Sequence, residues 1–217
     1  MQFAMNELVT AFEKTSQIKC QIVTASSGKL TAQIKAGAPY DLFVSADMKY
    51  PLELFESGFS SKTPNVYAKG HLVFWTLQDQ PYPQIELLQS ESIKHIAIAN
   101  PMTAPYGKAA MKVLEYYDLK KNLEAKLVYG ESISQVNQFI LSKSAEIGIT
   151  AKSTVMTPEM KNKGYWTEID SSAYSAVEQG VVILNHSNNQ DAQRFYDFLF
   201  SSEAKKILKE FGYSVNE

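Results

Sequence analysis

Short β-branched or apolar runs alternate with amphipathic helical stretches along almost the whole chain, and this alternation limits the fold more than any single motif. Strand-like runs stand at Ile18–Thr24, Asp41–Val44, His71–Thr76, Ile93–Ala99, Leu123–Tyr129, Glu146–Thr150 and Ala176–Leu184. Helical periodicity covers Met1–Lys14, Lys29–Ala36, Met48–Ser57, Gly107–Tyr117, Ile133–Ser142, Asp191–Phe200 and Ser202–Phe211, with Asp47 as a cap for the third and Gly58 ending it. Pro64–Gly70 and Gly164–Ser175 read as irregular, 78–83 and 185–189 as turns, and Ile85–Gln89 as a short helix. Strands separated by helices of this length predict an α/β fold of mostly parallel sheets flanked by crossover helices. The long runs at His71–Thr76 and Ala176–Leu184 bracket a block with its own strand–helix pattern. They predict a split first lobe, residues 1–74 plus 182–217, and an inserted second lobe, 75–181. The crossings, near 74–76 and 180–182, would act as hinges.

Composition removes several function classes. A net charge of −2 with a pI near 6.0, and lysines scattered rather than clustered, gives no footprint for nucleic acid. Cys20 is the single cysteine, so no disulfide framework or thiolate metal site is available. No apolar run approaches the roughly 20 residues of a membrane span. The opening residues Met1–Leu8 lack the basic start and continuous apolar core of a signal peptide.

Three strand-to-helix junctions share one chemistry: Ser26-Ser27-Gly28, Pro105-Tyr106-Gly107 and Glu131-Ser132-Ile133. The first amides of a helix have no intrahelical acceptor, and they carry about half a positive charge. Ligands of open α/β sheets sit beyond the carboxyl ends of the strands. Several such starts together could hold a dianion with no salt bridge, so that cavity size and donor geometry would set the selectivity. Gly28-Lys29 is not a phosphate loop, because that pattern needs glycine where Val23 stands and Ser or Thr where Leu30 stands. Lys29 and Lys108 fall in first helical turns and read as solvated. His71, His95 and His186 have neither helical pairing nor a cysteine partner, so no metal ligation is expected. Cys20 reads as a buried small hydrophobe. Asp41 and Asp47 do not read as a catalytic pair, since Asp47 fits a helix cap better.

Ser26-Ser27-Gly28-Lys29-Leu30, Gln33-Ile34, Gly37-Ala38-Pro39 and Asp41-Leu42-Phe43-Val44-Ser45-Ala46-Asp47 resemble the signature of the molybdate-binding periplasmic proteins of ABC transporters. So do Asn100-Pro101, Pro105-Tyr106-Gly107-Lys108-Ala109, Gly148-Ile149, the run Phe195–Leu199 and Phe211-Gly212-Tyr213, which extends the similarity over essentially the whole chain. The resemblance implies a two-lobed type II periplasmic-binding fold that closes on molybdate or tungstate and passes it to an ABC permease. It implies a monomer, no enzyme activity and no cofactor, acting in the periplasm or on a lipid anchor at the membrane surface. Ser27 matches the serine that offers hydroxyl and main-chain N–H to the oxyanion. Tyr106 and Ile133 fall on main-chain donor positions, with Ser26 and Ala151 as weaker candidates.

Two departures accompany the resemblance. Ala151 stands where many relatives carry a ligand tyrosine, which leaves Tyr106 to supply an equivalent hydroxyl. The sequence also opens on the helix that follows the family's first strand and first ligand loop, with no cap. The expectation is that Met1 is an internal methionine, with that strand and a signal peptide upstream; the short form would leave sheet edges exposed. Three alternatives stay open. One is a relative for sulfate or another anion. Another is the effector domain of a transcription regulator, which would need an attached helix-turn-helix. The third is an enzyme on the same scaffold, which would need an acid, base or nucleophile at the junctions.

Overall fold

The computed structural model describes residues 2–79, 82–185 and 190–216. In chain order the elements are α1 (Gln2–Ser16), α2 (Ser27–Lys35), β1 (Leu42–Ser45), α3 (Lys49–Glu56), β2 (Asn65–Gly70), β3 (Leu72–Thr76), β4 (Ile96–Ala99), α4 (Pro105–Tyr116), α5 (Lys120–Leu123), β5 (Leu127–Gly130), α6 (Ile133–Leu141), β6 (Ile147–Ala151), α7 (Lys152–Val155), β7 (Tyr165–Glu168), β8 (Val177–Ile183), α8 (Gln190–Phe198) and α9 (Ser202–Glu210). Single 3₁₀ turns occupy Ile85–Gln89, Glu124–Lys126 and Ser171–Ala173. The chain divides into two compact units, Met1–Gly70 with Glu178–Glu217, and His71–Val177. The boundaries between the units fall at 70/71 and 177/178, at the starts of β3 and β8.

In the first unit a sheet of order β1-β8-β2 has β8 in the middle. β1 runs antiparallel to β8, with Leu42 opposite Ile183 and Ser45 opposite Gly180. Gly180 permits α3 to lie on the sheet, since a Cβ there would come within 2.7 Å of the Met48 sulfur and 2.9 Å of Pro51. The buried stripe of α1, Ala4, Met5, Leu8 and Phe12, recurs at three- and four-residue steps. It packs with Phe195, Leu199, Ala204 and Leu208 of the closing helical region, Phe12 meeting Phe195 edge-on at 5.1 Å.

In the second unit the order is β5-β4-β6-β3-β7. β4 is parallel to both β5 and β6, whereas β3 is antiparallel to β6 and β7. Every residue of β3, β4 and β6 is buried, as strands covered on both faces require. The expected α/β fold, sheets flanked by helices, is present, with the parallel pairing recorded in β5-β4-β6. The strands that begin at the two crossings run against neighbours, β8 against β1 in the first sheet and β3 against β6 and β7 in the second.

Three local expectations also change. Pro64–Gly70 contains β2, whose burial alternates only weakly, and Gly164–Ser175 contains β7, an edge strand. Ile18–Thr24 forms no strand. Glu13 ties its start to α1, its carboxylate accepting the Cys20 N–H at 2.8 Å and the Lys19 ammonium at 2.9 Å. Residues 21–25 make no hydrogen bond to another described residue, and Ile22 and Val23 are 37% and 46% exposed. Across from this segment lies the outer edge of β1, and the two line a cavity of about 580 Å³. Cys20 lines it too, so it is half-buried rather than buried in a strand, and partial burial pushes its thiol pKa up. His186 and most of the 185–189 turn lie outside the described residues, as do residues 80 and 81 of the 78–83 turn.

Candidate anion-binding site

Ser26 and Ser27 open α2 in the first unit. Ser26 is the cap residue with extended backbone, its carbonyl accepting the Leu30 N–H at 3.0 Å, but its hydroxyl makes no capping bond. Ser27 is 6% exposed, and its Oγ accepts the N–H of Ala46 at 3.2 Å. That bond orients the hydroxyl and leaves its proton as the group it can donate. The neighbouring acid is engaged locally: Asp47 Oδ1 accepts the Tyr50 N–H of α3 and the Ser45 hydroxyl, at 3.3 and 3.2 Å. Asp47, one residue before the cap position Met48, thus ties down the first turn of α3 with its side chain.

The other candidates gather at one edge of the five-stranded sheet. β4, β5 and β6 are mutually parallel, so their carboxyl ends, each of which leads into a helix, lie side by side. After β4 the loop folds on Asn100, whose side chain accepts the Met102 N–H at 2.9 Å and whose carbonyl accepts that of Ala104 at 2.8 Å. Pro105 and Tyr106 then begin α4. Gly107 seats that start on the strand, for a Cβ there would lie 2.1 Å from the Ala99 carbonyl oxygen. Tyr106 is buried along with its hydroxyl oxygen.

The Asn100 N–H donates to the Gly130 carbonyl at 2.7 Å and so joins this loop to the next junction. There Ser132 caps α6 by accepting the Gln135 N–H, and Gln135 Oε1 accepts the Glu131 N–H at 2.7 Å, a reciprocal cap. Ile133 is the first helical residue, where an amide has no intrahelical acceptor. Ala151 ends β6 opposite Leu72. The next amide, Lys152, donates to the His71 carbonyl at 2.8 Å, so by the alternation of an antiparallel ladder the Ala151 N–H points away from β3.

These junctions hold no buried charged side chain. No Asp, Glu, Lys, Arg or His is buried among the described residues, and Lys29 and Lys108 are exposed. The two described histidines sit beside carboxylates, His71 Nδ1 3.4 Å from Glu168 and His95 Nδ1 3.6 Å from Glu146. Burial pushes the His71 pKa down, against the opposing pull of Glu168. Burial would raise Glu146, but the N–H groups of His95, Glu146 itself and Lys94 outweigh it and hold this carboxyl below its usual range. No group of three or more His, Cys, Asp or Glu that could hold a metal ion occurs among the described residues.

Sequence reasoning missed a buried polar cluster in the second unit, formed by Asn137, Thr150 and Thr154. Its one available signal was Asn137, four residues after Ile133 and so on the stripe that also carries Val136 and Ile140.

Comparison with known proteins identifies the family. The family model described as bacterial extracellular solute-binding protein matches residues 1–214. The molybdate-binding protein ModA of Azotobacter vinelandii is 34% identical over 97% of this chain and 85% of its own length. The protein of the same name from Rhodobacter capsulatus is 34% identical over 86% of this chain and 74% of its own. The solved periplasmic molybdate-binding protein of Azotobacter vinelandii superposes with a TM-score of 0.95 at 30% identity, covering all of this chain and 96% of that one. A substrate-binding domain of a putative molybdenum ABC transporter from Clostridium difficile gives 0.71 at 28% identity, covering 100% and 95%. With its two α/β units and this similarity along its length, this chain belongs to the bacterial extracellular solute-binding proteins, which are binding proteins and not enzymes.

Proposed function

We propose that this protein captures a tetrahedral oxyanion, molybdate or tungstate, outside the cytoplasm and delivers it to an ABC permease. Ser27 of the first unit gives a hydroxyl and a main-chain N–H. Tyr106 and Ile133 of the second give main-chain N–H groups, with Ser26 and Ala151 as secondary contributors. The observation that carries the reading is that each of Ser27, Tyr106 and Ile133 stands in the first turn of a helix of eight residues or more, in a protein with no charged side chain buried among its described residues. Helix-start amides stabilise an anion without a counter-charge. The 34% identity to two proteins named for molybdate binding supports the choice of anion.

A lining of donors alone also explains how phosphate is rejected. A protonated phosphate brings an O–H that finds no acceptor, and an unmatched buried donor costs ~1–3 kcal/mol. Sulfate, being smaller, would stretch hydrogen bonds set for a larger anion. A thermal-shift panel tests the proposal. Molybdate at about a thousand times its dissociation constant should add ~4 kcal/mol of stability. Sulfate and phosphate at the same concentration should add little. Equal shifts for all three would remove the selectivity, and no shift with any of them would remove the function.

A further inference from the structure

We propose that Asn137 is a positioning residue that sets the anion-donating amides of the second unit, an inference resting on the oxyanion reading above. Its carboxamide is buried and bonds in two directions. Nδ2 donates to Thr154 Oγ1 at 3.1 Å, and Oδ1 accepts the Thr150 hydroxyl at 2.7 Å. The three side chains belong to three segments, α6, β6 and α7, and all three residues are buried.

Each anchor point is close in the chain to a candidate donor. Asn137 is one helical turn after Ile133, and the i to i−4 pattern places its own N–H on the Ile133 carbonyl. Thr150 immediately precedes Ala151, and Thr154 lies in the short helix that Ala151 caps. One carboxamide therefore fixes the first turn of α6 against the end of β6 and the start of α7. The neighbouring core would accept apolar side chains here, since Val136, Ile140 and Val155 surround the same elements. Apolar groups of like shape can replace a buried hydrogen-bonded set at little cost in stability. What they would not reproduce is directional registry between helix start and strand end, and misplaced donors weaken binding steeply.

Isosteric pairs separate positioning from folding. Thr150→Val removes the hydroxyl and keeps the shape, whereas Thr150→Ser keeps the hydroxyl and loses a methyl. Molybdate titration calorimetry is paired with urea unfolding of the anion-free proteins. The expected result is that both variants lose some stability, while Thr150→Val binds molybdate about tenfold more weakly and Thr150→Ser stays within about twofold of the unmodified protein. Should Thr150→Val fail to fold, Thr154→Val against Thr154→Ser reads the other arm of the carboxamide, with the same expectation. Equal affinities within the folded pair, beside normal binding by the unmodified protein, would overturn the positioning role alone. No molybdate binding by the unmodified protein would overturn the oxyanion reading and this inference with it.

Discussion

At Ser27 the hydroxyl oxygen already receives the Ala46 N–H, so its proton is what it has to offer an anion. Ser27→Ala should accordingly weaken molybdate binding by ~1–3 kcal/mol, the range for a hydrogen bond to a charged group, as read by calorimetry. Ile133→Val should leave affinity nearly unchanged, because the donor there is main chain; a large loss would contradict that role. These positions were legible in the sequence because Ser-Ser-Gly and Glu-Ser-Ile after strand-like runs mark helix starts. The tie from Asp47 to the first turn of α3 was legible for the same reason. Asn137 was not, because a lone Asn in a helical pattern looks like any surface residue until the fold shows Thr150 and Thr154 facing it. Cys20 misled because its β-branched neighbours suggested a strand that does not form.

Among elements, α4 is closely fitted to β4 at its start. Gly107→Ala would drive a methyl into the Ala99 carbonyl at 2.1 Å, and that oxygen is backbone and cannot swing aside. The helix must lift off β4, carrying the Tyr106 amide with it, so both melting temperature and molybdate affinity should fall. At the other end of α4, Glu115 lies between Lys112 and Lys120 at 2.7 and 2.8 Å, and their hydrogen bonds bring its carboxyl down to about 2 from an ordinary 4.5. A carboxyl depressed in the folded state contributes stability that is present above pH ~4.5 and is lost as pH falls toward ~2. Glu115→Gln should therefore lower the melting temperature slightly at neutral pH and not at pH ~2, and salt should shrink the difference because the group is exposed.

Most helices were legible because their apolar spacing and end signals agree. β2 and β7 were not, since one follows a proline and ends in Lys69-Gly70 and the other depends on pairing with β3. Ile18–Thr24 has strand composition without a strand's partners. Propensity counts for little when no neighbouring backbone is there to pair with.

At the scale of the molecule, each unit has its own apolar core, one built on α1 with the closing helices and the other on β3, β4 and α6. Among the described residues the second unit has a five-stranded sheet, whereas the first has three strands and, beside β1, residues 21–25 that bond to nothing described. Local stability follows backbone pairing and burial, so amides 21–25 should show essentially no protection in hydrogen exchange while those of β4 and β6 exchange slowest. The same margin has a colloidal consequence. A backbone rim lined by Ile22, Val23 and the free side of β1 is a template on which a passing extended polypeptide can add itself. Concentrated solutions should therefore scatter light increasingly with time, and Val23→Lys, by setting a like charge on every such rim, should slow that growth without altering molybdate affinity.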